Sequence, residues 1–172
     1  MSIIPEKVTN YNVYKENGNR FLGLADEIEL PSFENITEEM RGAGIAGSWN
    51  STTPGHFGPM EITLKFRTFT AEIAEIFSKS GERITARAAQ QTYNTSTGQI
   101  AQRGLKITFQ TLPKNIALGK IAIGAPTESS ITQEIVYIKI AYDDKEVIEY
   151  DKMNFIFKVN GVDMLKQVRD LI

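Results

Sequence analysis

The sequence predicts a mainly β, single-domain protein: an antiparallel β-sandwich or barrel of about seven or eight strands, with one internal α-helix (about residues 70–80) and a short C-terminal helix. Three features carry that prediction. Several segments alternate apolar and polar residues with the period of a half-buried strand, clearest in MEITLKFRTF over 60–69. Helical spacing is convincing in one internal segment, 70–81, and again at the C-terminus. Turn signals separate the alternating runs, notably Thr95-Ser96-Thr97-Gly98, Asp143-Asp144 and Asn160-Gly161. With 172 residues the chain is long enough for one sizeable core and too short for two ordinary domains.

Along the chain, residues 20–30 (RFLGLADEIEL) place Leu22, Leu24, Ile28 and Leu30 on one parity and stop at Pro31, a strand with an irregularity at Ala25-Asp26. Residues 60–69 set Ile62, Leu64 and Phe66 against Glu61, Thr63, Lys65 and Arg67. Over 70–81 the period changes: Ile73, Ile76 and Phe77 share a helix face, Thr70 is placed to cap it, Glu72 lies in the first turn and Gly81 ends it. Residues 82–94 and 98–112 read as a hairpin, the second arm alternating Leu105, Ile107 and Phe109 with Lys106, Thr108 and Gln110. The run 130–142 is apolar on both parities and expects cover on two sides. Residues 145–151 and 153–159 come next, the latter with Met153, Phe155, Phe157 and Val159 on one face. After Asn160-Gly161, residues 162–172 set Leu165, Val168 and Ile172 on one face of a terminal helix, with Asp163 as its cap.

Between Arg41 and Glu61 runs GAGIAGSWNSTTPGHFGPM, without a charged residue and holding the only Trp (Trp49) and the only His (His56). Gly42, Gly44 and Gly47 have the spacing of a dinucleotide-binding loop, but the context excludes one. Such a loop needs a buried strand before it and a helix after it. Thr37-Glu38-Glu39-Met40-Arg41 is too polar for a central parallel strand, and Pro54-Gly55 comes too soon afterwards for a helix. The glycines instead mark turns or hinges in a long arm, residues 42–59.

No catalytic constellation emerges. One imidazole leaves no second histidine for a metal site or relay, and His56 reads as a surface or interface residue. Asp143 and Asp144 are turn residues, Glu38-Glu39 and Glu72/Glu75 solvated carboxylates, and Tyr137, Tyr142 and Tyr150 core-rim aromatics. The sequence expects no enzyme activity, metal or cofactor. A net charge of −2 makes no case for a nucleic-acid clamp, and the lack of Cys removes disulfide and thiolate chemistry. The N-terminus has no signal-peptide pattern and no run is long and apolar enough to span a membrane, so synthesis in a cytoplasm is expected.

Two long motifs carry a family resemblance. NYNVYKENGNRFLGLADEIELPSFENITEEMRGAGIAG, with Gly18, Gly23, Glu29-Leu30-Pro31, Glu38-Glu39, Arg41-Gly42 and Gly44, resembles the N-terminal signature of the contractile-phage major tail tube proteins. MNFIFKVNGVDMLKQVRDLI resembles the same family's ending, with Asn154, Val159, Gly161, Val162 and Asp163 in register. The resemblance spans the chain and extends to the tube subunits of phage-tail-like bacteriocins.

It implies a protein of a virion tail or tail-like particle, made in the host bacterial cytoplasm, that forms hexameric rings stacked into a tube inside a contractile sheath, with strands of neighbouring subunits joined into one barrel around a channel for DNA or, in a headless particle, for ions. Its implied partners are further copies of itself, the sheath, the baseplate and tail terminator proteins, and tape measure protein or DNA passing through the lumen. In that setting Arg41, Gly42, Gly44, Ile45, Gly47, Trp49 and Phe57 belong to an inter-subunit arm that becomes ordered between subunits. Residues 1–14 form a second inter-ring contact, and the C-terminal helix either adds a third or packs on its own barrel. Glu61, Thr63, Lys65, Arg67, Lys106, Thr108 and Gln110 are candidate lumen residues. A channel for a polyanion favours acidic or neutral walls, so either nearby acids such as Glu61, Glu134 and Glu149 offset the Lys and Arg, or one of these parities faces the sheath. The rivals are a monomeric β-sandwich that grips a small ligand with its arm, a secretion-system tube protein and, last, a hydrolase.

Overall fold

The computed structural model describes residues 2–21 and 23–172. Leu22, expected on the buried parity of the first strand, lies outside them. Among the described residues the order is β1 (Ile3–Tyr14), β2 (Leu24–Glu29), β3 (Asn35–Met40), β4 (Trp49–Phe57), β5 (Glu61–Phe66), α1 (Ala71–Ser78), β6 (Arg83–Asn94), β7 (Ile100–Ala117), β8 (Ser129–Tyr142), β9 (Lys145–Asp151), β10 (Ile156–Val159), β11 (Val162–Asp163) and α2 (Lys166–Arg169). Nine strands form one antiparallel sheet in the order β1-β6-β7-β8-β9-β10-β11, with β5 also paired to β8 and β2 to β5. β3 and β4 form a separate two-stranded ribbon.

β8 organises the sheet. β7 runs along one of its edges, while the other is shared by β5 over Ser129–Glu134 and β9 over Tyr137–Tyr142. Ser129, Ile131, Gln133 and Ile135 point alternately into the core. A register shift against β7 between Gln110 and Thr111 skips Val136, and Ile138 then returns to the core. Such a bulge bends a strand and re-aims the residues beyond it, which suits the point where the partner strand changes. The core joins Val13 of β1, Ile62, Leu64 and Phe66 of β5, Ile84 of β6, Ile107 and Phe109 of β7 and the β8 isoleucines, with Ile73 and Ile76 of α1 packed on it. Its polar members are satisfied in part by each other: the buried Thr111 hydroxyl donates to the Gln133 side-chain oxygen at 2.9 Å.

The strands over 83–94, 129–142 and 145–151 match the sequence reading closely, but the described residues hold eleven strands where seven or eight were expected, β1, β3, β4 and β11 being the unexpected ones. α1 starts after Thr70, which holds the extended cap backbone but forms no side-chain cap bond. Gly81, at φ +77°, donates its N–H to the Thr111 carbonyl, tying the helix exit to β7. β7 continues through Pro113 to Ala117 and slips register beside that proline, which has no N–H for the ladder. The irregularity at Ala25-Asp26 is a bulge: β2 advances from Leu24 to Ile28 while β5 advances from Phe66 to Leu64.

The expected strand 153–159 begins only at Ile156. The Asp151 carboxylate accepts from the N–H groups of Met153 and Asn154 and folds them into a turn, leaving Phe155 at φ +52°. The expected helix 162–172 shrinks to one turn. Asn160 (φ +49°) and Gly161 (φ +81°) reverse the chain so that Val162 and Asp163 pair with β10. Asp163 is thus a strand residue rather than a helix cap, and Val168 and Ile172 are exposed. So short a helix has too few hydrogen bonds to outweigh that local pairing.

Phe109 is fully buried at the centre of the core. Replacing it with alanine is expected to cost about 3–5 kcal/mol, seen as a lower urea midpoint at unchanged slope.

Candidate assembly surfaces

Residues 35–57 project as a β-ribbon. β3 pairs with β4 from Met40↔Trp49 to Thr37↔Thr52, and then β4 bulges so that Asn35 meets Phe57. All six residues of β3 are exposed, which explains a polar strand that sequence patterning did not identify. The arm expected over 42–59 is therefore a hairpin, ordered within one chain. Arg41 to Ser48 form its tip and β4 is its return strand. Gly44 (φ +86°) and Gly47 (φ +107°) are turn positions at that tip and not hinges where the chain leaves the body.

The ribbon is amphipathic. Ile36, Glu38 and Met40 alternate onto one face together with Trp49 and Ser51 of the partner strand. Ile36, Met40, Ile45 and Trp49 are all exposed, Trp49 at 47%. A lone two-stranded ribbon with an uncovered apolar face is marginal in water and presents that face for contact.

Its root is fixed. Phe33 and Phe57, at the two ends of the ribbon, stack edge-on with each other (centroids 5.3 Å apart). Phe57 also meets Tyr150 of β9 at 5.0 Å and Phe157 of β10 at 5.1 Å. Gly55 (φ +73°) lies flat against Leu165, which is fully buried. Phe57 thus anchors the arm to its own subunit, whereas Ile45 and Trp49 remain outward. The sequence read Tyr150 as a core-rim aromatic and Phe157 as a strand-face residue but gave no sign that they meet Phe33 and Phe57, because the cluster forms only when the ribbon root meets β9–β10.

The remaining candidate segments divide similarly. Residues 3–14 pair with β6 as a full edge strand, with bulges at Pro5/Lys7 and Val8/Asn10. Val13 is core while Ile3, Ile4 and Val8 are exposed. At the C-terminus Arg169 pairs with Asp163 and donates to the Phe155 carbonyl at 2.8 Å, pinning the last turn to its own subunit. Met164, Leu171 and Ile172 nonetheless face outward. Sequence reasoning also passed over the β7–β8 loop, where Leu118, Ile121 and Ile123 are exposed; the signal was an apolar run lying between glycines outside any strand.

The polar parities expected to line a channel all point away from the core, in two electrostatic settings. On β5, Lys65 bonds Glu27 and Glu29 of β2 at 2.5 and 2.6 Å, Arg67 lies 3.9 Å from Asp26, Glu61 pairs with Lys114, and Thr63 meets Thr132 at 3.2 Å. On β6–β7, Thr108 bonds Thr85, Arg83 sits over Tyr137 and Arg87 over Tyr14, and Gln110 opposes Arg83. Among the described residues the ion pairs include neither Lys106 nor these two arginines. Farther along the same sheet, Lys158 and Tyr137 both donate to Glu149, at 2.7 and 3.0 Å. The lysine bond, chiefly, holds the Glu149 carboxyl below its ordinary range. Burial and then its own hydrogen bond to Glu149 push the Tyr137 phenol up to about 12.

A β-sheet body that fixes the root of an amphipathic ribbon and leaves apolar segments outward is the architecture of a structural β subunit. The chain belongs to the phage tail tube protein FII family, whose sequence model matches residues 5–172. It is 29% identical to the tail tube protein of Escherichia phage P2 over 177 aligned positions that cover 96% of each chain. It is 21% identical to the major tail tube protein of Serratia phage KSP20 over 158 residues, 92% of this chain and 90% of that one. The fold is also similar to the sheath/tube terminator of an extracellular contractile injection system, with a TM-score of 0.56 at 13% identity over 80% of this chain and 96% of that one. The chain is a structural tail tube subunit.

Two substitutions test this geometry. A Cβ at Gly55 would fall 2.5 Å from Leu165 in a backbone conformation costly for alanine, so Gly55→Ala is expected to destabilise the ribbon root by about 1–3 kcal/mol. Faster amide exchange over 49–57 would report it. Because the Glu149 pKa is depressed on folding, its contribution is present above the unfolded value of about 4.3 and is lost as pH falls through the folded value. Glu149→Gln should therefore lower thermal stability at pH 7 and converge on the parent only once pH has fallen through that depressed folded value.

Proposed function

We propose that this subunit closes into hexameric rings that stack head-to-tail into the inner tube of a contractile tail or tail-like particle. The observation that carries the reading is the rooted ribbon: a rigid aromatic base holds an apolar face of Ile36, Met40 and Trp49 away from the body. In the tube that face packs on a neighbouring subunit, with Trp49 and Ile45 as anchors. Residues 3–10 and the apolar C-terminal residues add contacts between rings.

Within the subunit the sheet curls as a sandwich or barrel, and in the ring its strands join those of neighbours around the channel, so that edges exposed in the monomer are paired. The carboxylates of β2 offset Lys65 and Arg67, which suits the β5 face to a polyanion passing through without being gripped. Lys106, Arg83 and Arg87 make the β6–β7 face cationic, which suits contact with the surrounding sheath. Sheath, terminator, baseplate and tape measure proteins are the partners, DNA or, in a headless particle, ions are the transient cargo, and the subunit is made in the bacterial cytoplasm. It acts by rigid self-assembly, without catalysis or cofactor.

Purified protein is expected to show rings or tubes by negative-stain microscopy, and a concentration-independent monomer would overturn the reading. Trp49 is the only tryptophan, so its emission reports one site. On polymerisation that emission should shift to the blue and lose access to iodide. Met40→Asp should raise the concentration needed for assembly about tenfold, with folding unchanged.

A further inference from the structure

The β7–β8 loop is a built feature. The Lys120 N–H donates to the Thr127 carbonyl at 2.8 Å, the Phe69 N–H to the Thr127 hydroxyl at 2.7 Å, and the Glu128 N–H to the Arg67 carbonyl at 2.9 Å. Gly119 (φ +79°) closes the base, where any Cβ would run into the Thr127 carbonyl. This pinned base presents Ile121 and Ile123 at 99% and 107% exposure, so neither touches its own subunit appreciably. Two whole isoleucines in water at the tip of a constrained loop form an apolar knob.

The same subunit carries an open groove of about 230 Å³ between β2 and the β1–β6–β7 sheet. Val8, Ile28, Leu30, Ala88, Leu105 and Ile107 make its apolar walls. Asp26 and Glu27 stand at its lip, and the Asp26 carboxylate is 96% exposed with its nearest cation, Arg67, at 3.9 Å.

We infer that the Ile121/Ile123 knob of one subunit seats in the β1–β2–β6–β7 groove of a second copy. The inference rests on the tube reading and adds a second, specific contact to the ribbon. Charge selects the occupant. The knob brings Lys120 toward the exposed Asp26 carboxylate and toward Glu27, which Lys65 already holds at 2.5 Å, whereas the ribbon would bring Glu38 and Glu39 toward the same acids. Lys120 reaches only Glu128 of its own loop, at 3.0 Å and exposed, a pairing weak enough to exchange. Because knob and groove are different surfaces of one chain, their contact is heterologous and propagates from copy to copy instead of closing a dimer.

The chain has no cysteine, so introduced thiols report this contact without background. Ile123→Cys combined with Ala88→Cys, oxidised after assembly, should give a ladder of covalent oligomers, while each single variant stays monomeric in denaturing gels. Ile121→Asp with Ile123→Asp should raise the assembly concentration about tenfold or more while leaving the circular dichroism spectrum and melting midpoint unchanged. Three results would overturn the contact: tubes of the cysteine pair without a ladder, a ladder from Trp49→Cys with Ala88→Cys instead, or the double aspartate assembling like the parent. Failure of the parent chain itself to polymerise would remove the tube reading and this contact together; parent tubes with any of those three results remove the contact alone.

Discussion

The structure depends on one shared edge. β8 gives its whole length to β7 on one side and divides the other between β5 and β9. That division is possible because the slip at Val136 turns the strand between its two halves. The first half closes the core with Ile131 and Ile135, while the second extends the sheet toward β9, β10 and β11. The aromatic root of the ribbon, with Tyr150 on β9 and Phe157 on β10, exists only because β9 is held there.

A consequence is that rigidity and adhesiveness are segregated within one chain. Phe57, Gly55 and Leu165 commit one end of the ribbon to the subunit, and Met40 and Trp49 at the other end remain uncovered. An ordered ribbon loses little conformational entropy on packing, so more of its apolar contact is available as binding energy. The β7–β8 loop repeats the arrangement on a smaller scale, with a hydrogen-bonded base and two isoleucines at the tip. A subunit with one closed core and apolar contact points confined to chosen segments suits ordered polymerisation better than one with a uniformly apolar surface.

Electrostatics obey the same division. Around β5, Lys65 and Arg67 each meet a carboxylate of β2, and across β8–β10 lysines and glutamates pair between strands. Arg83 and Arg87 instead rest on tyrosine rings, which keep the charge while steadying the side chain. The two polar faces therefore differ in their field although their sequences alternate alike.

The sequence by itself determined the β class, the α1 helix, the tight turns at Asp143-Asp144 and Asn160-Gly161, and the family, because periodicity, positive-φ turn residues and ordered motifs are local properties. It placed Trp49 and Ile45, both exposed in the subunit, in an arm reaching toward a neighbour, but read that arm as a loop, since an exposed strand such as Asn35–Met40 carries no burial pattern. It could not assign Phe57 to its own subunit or pair Lys65 with Glu27 and Glu29, because those partners meet only through long-range packing. Tertiary structure also decided the C-terminus: an amphipathic spacing over 162–172 gave way to one strand pair and one turn, as closing the Asn160-Gly161 hairpin satisfies the backbone at once while a short helix must first be nucleated.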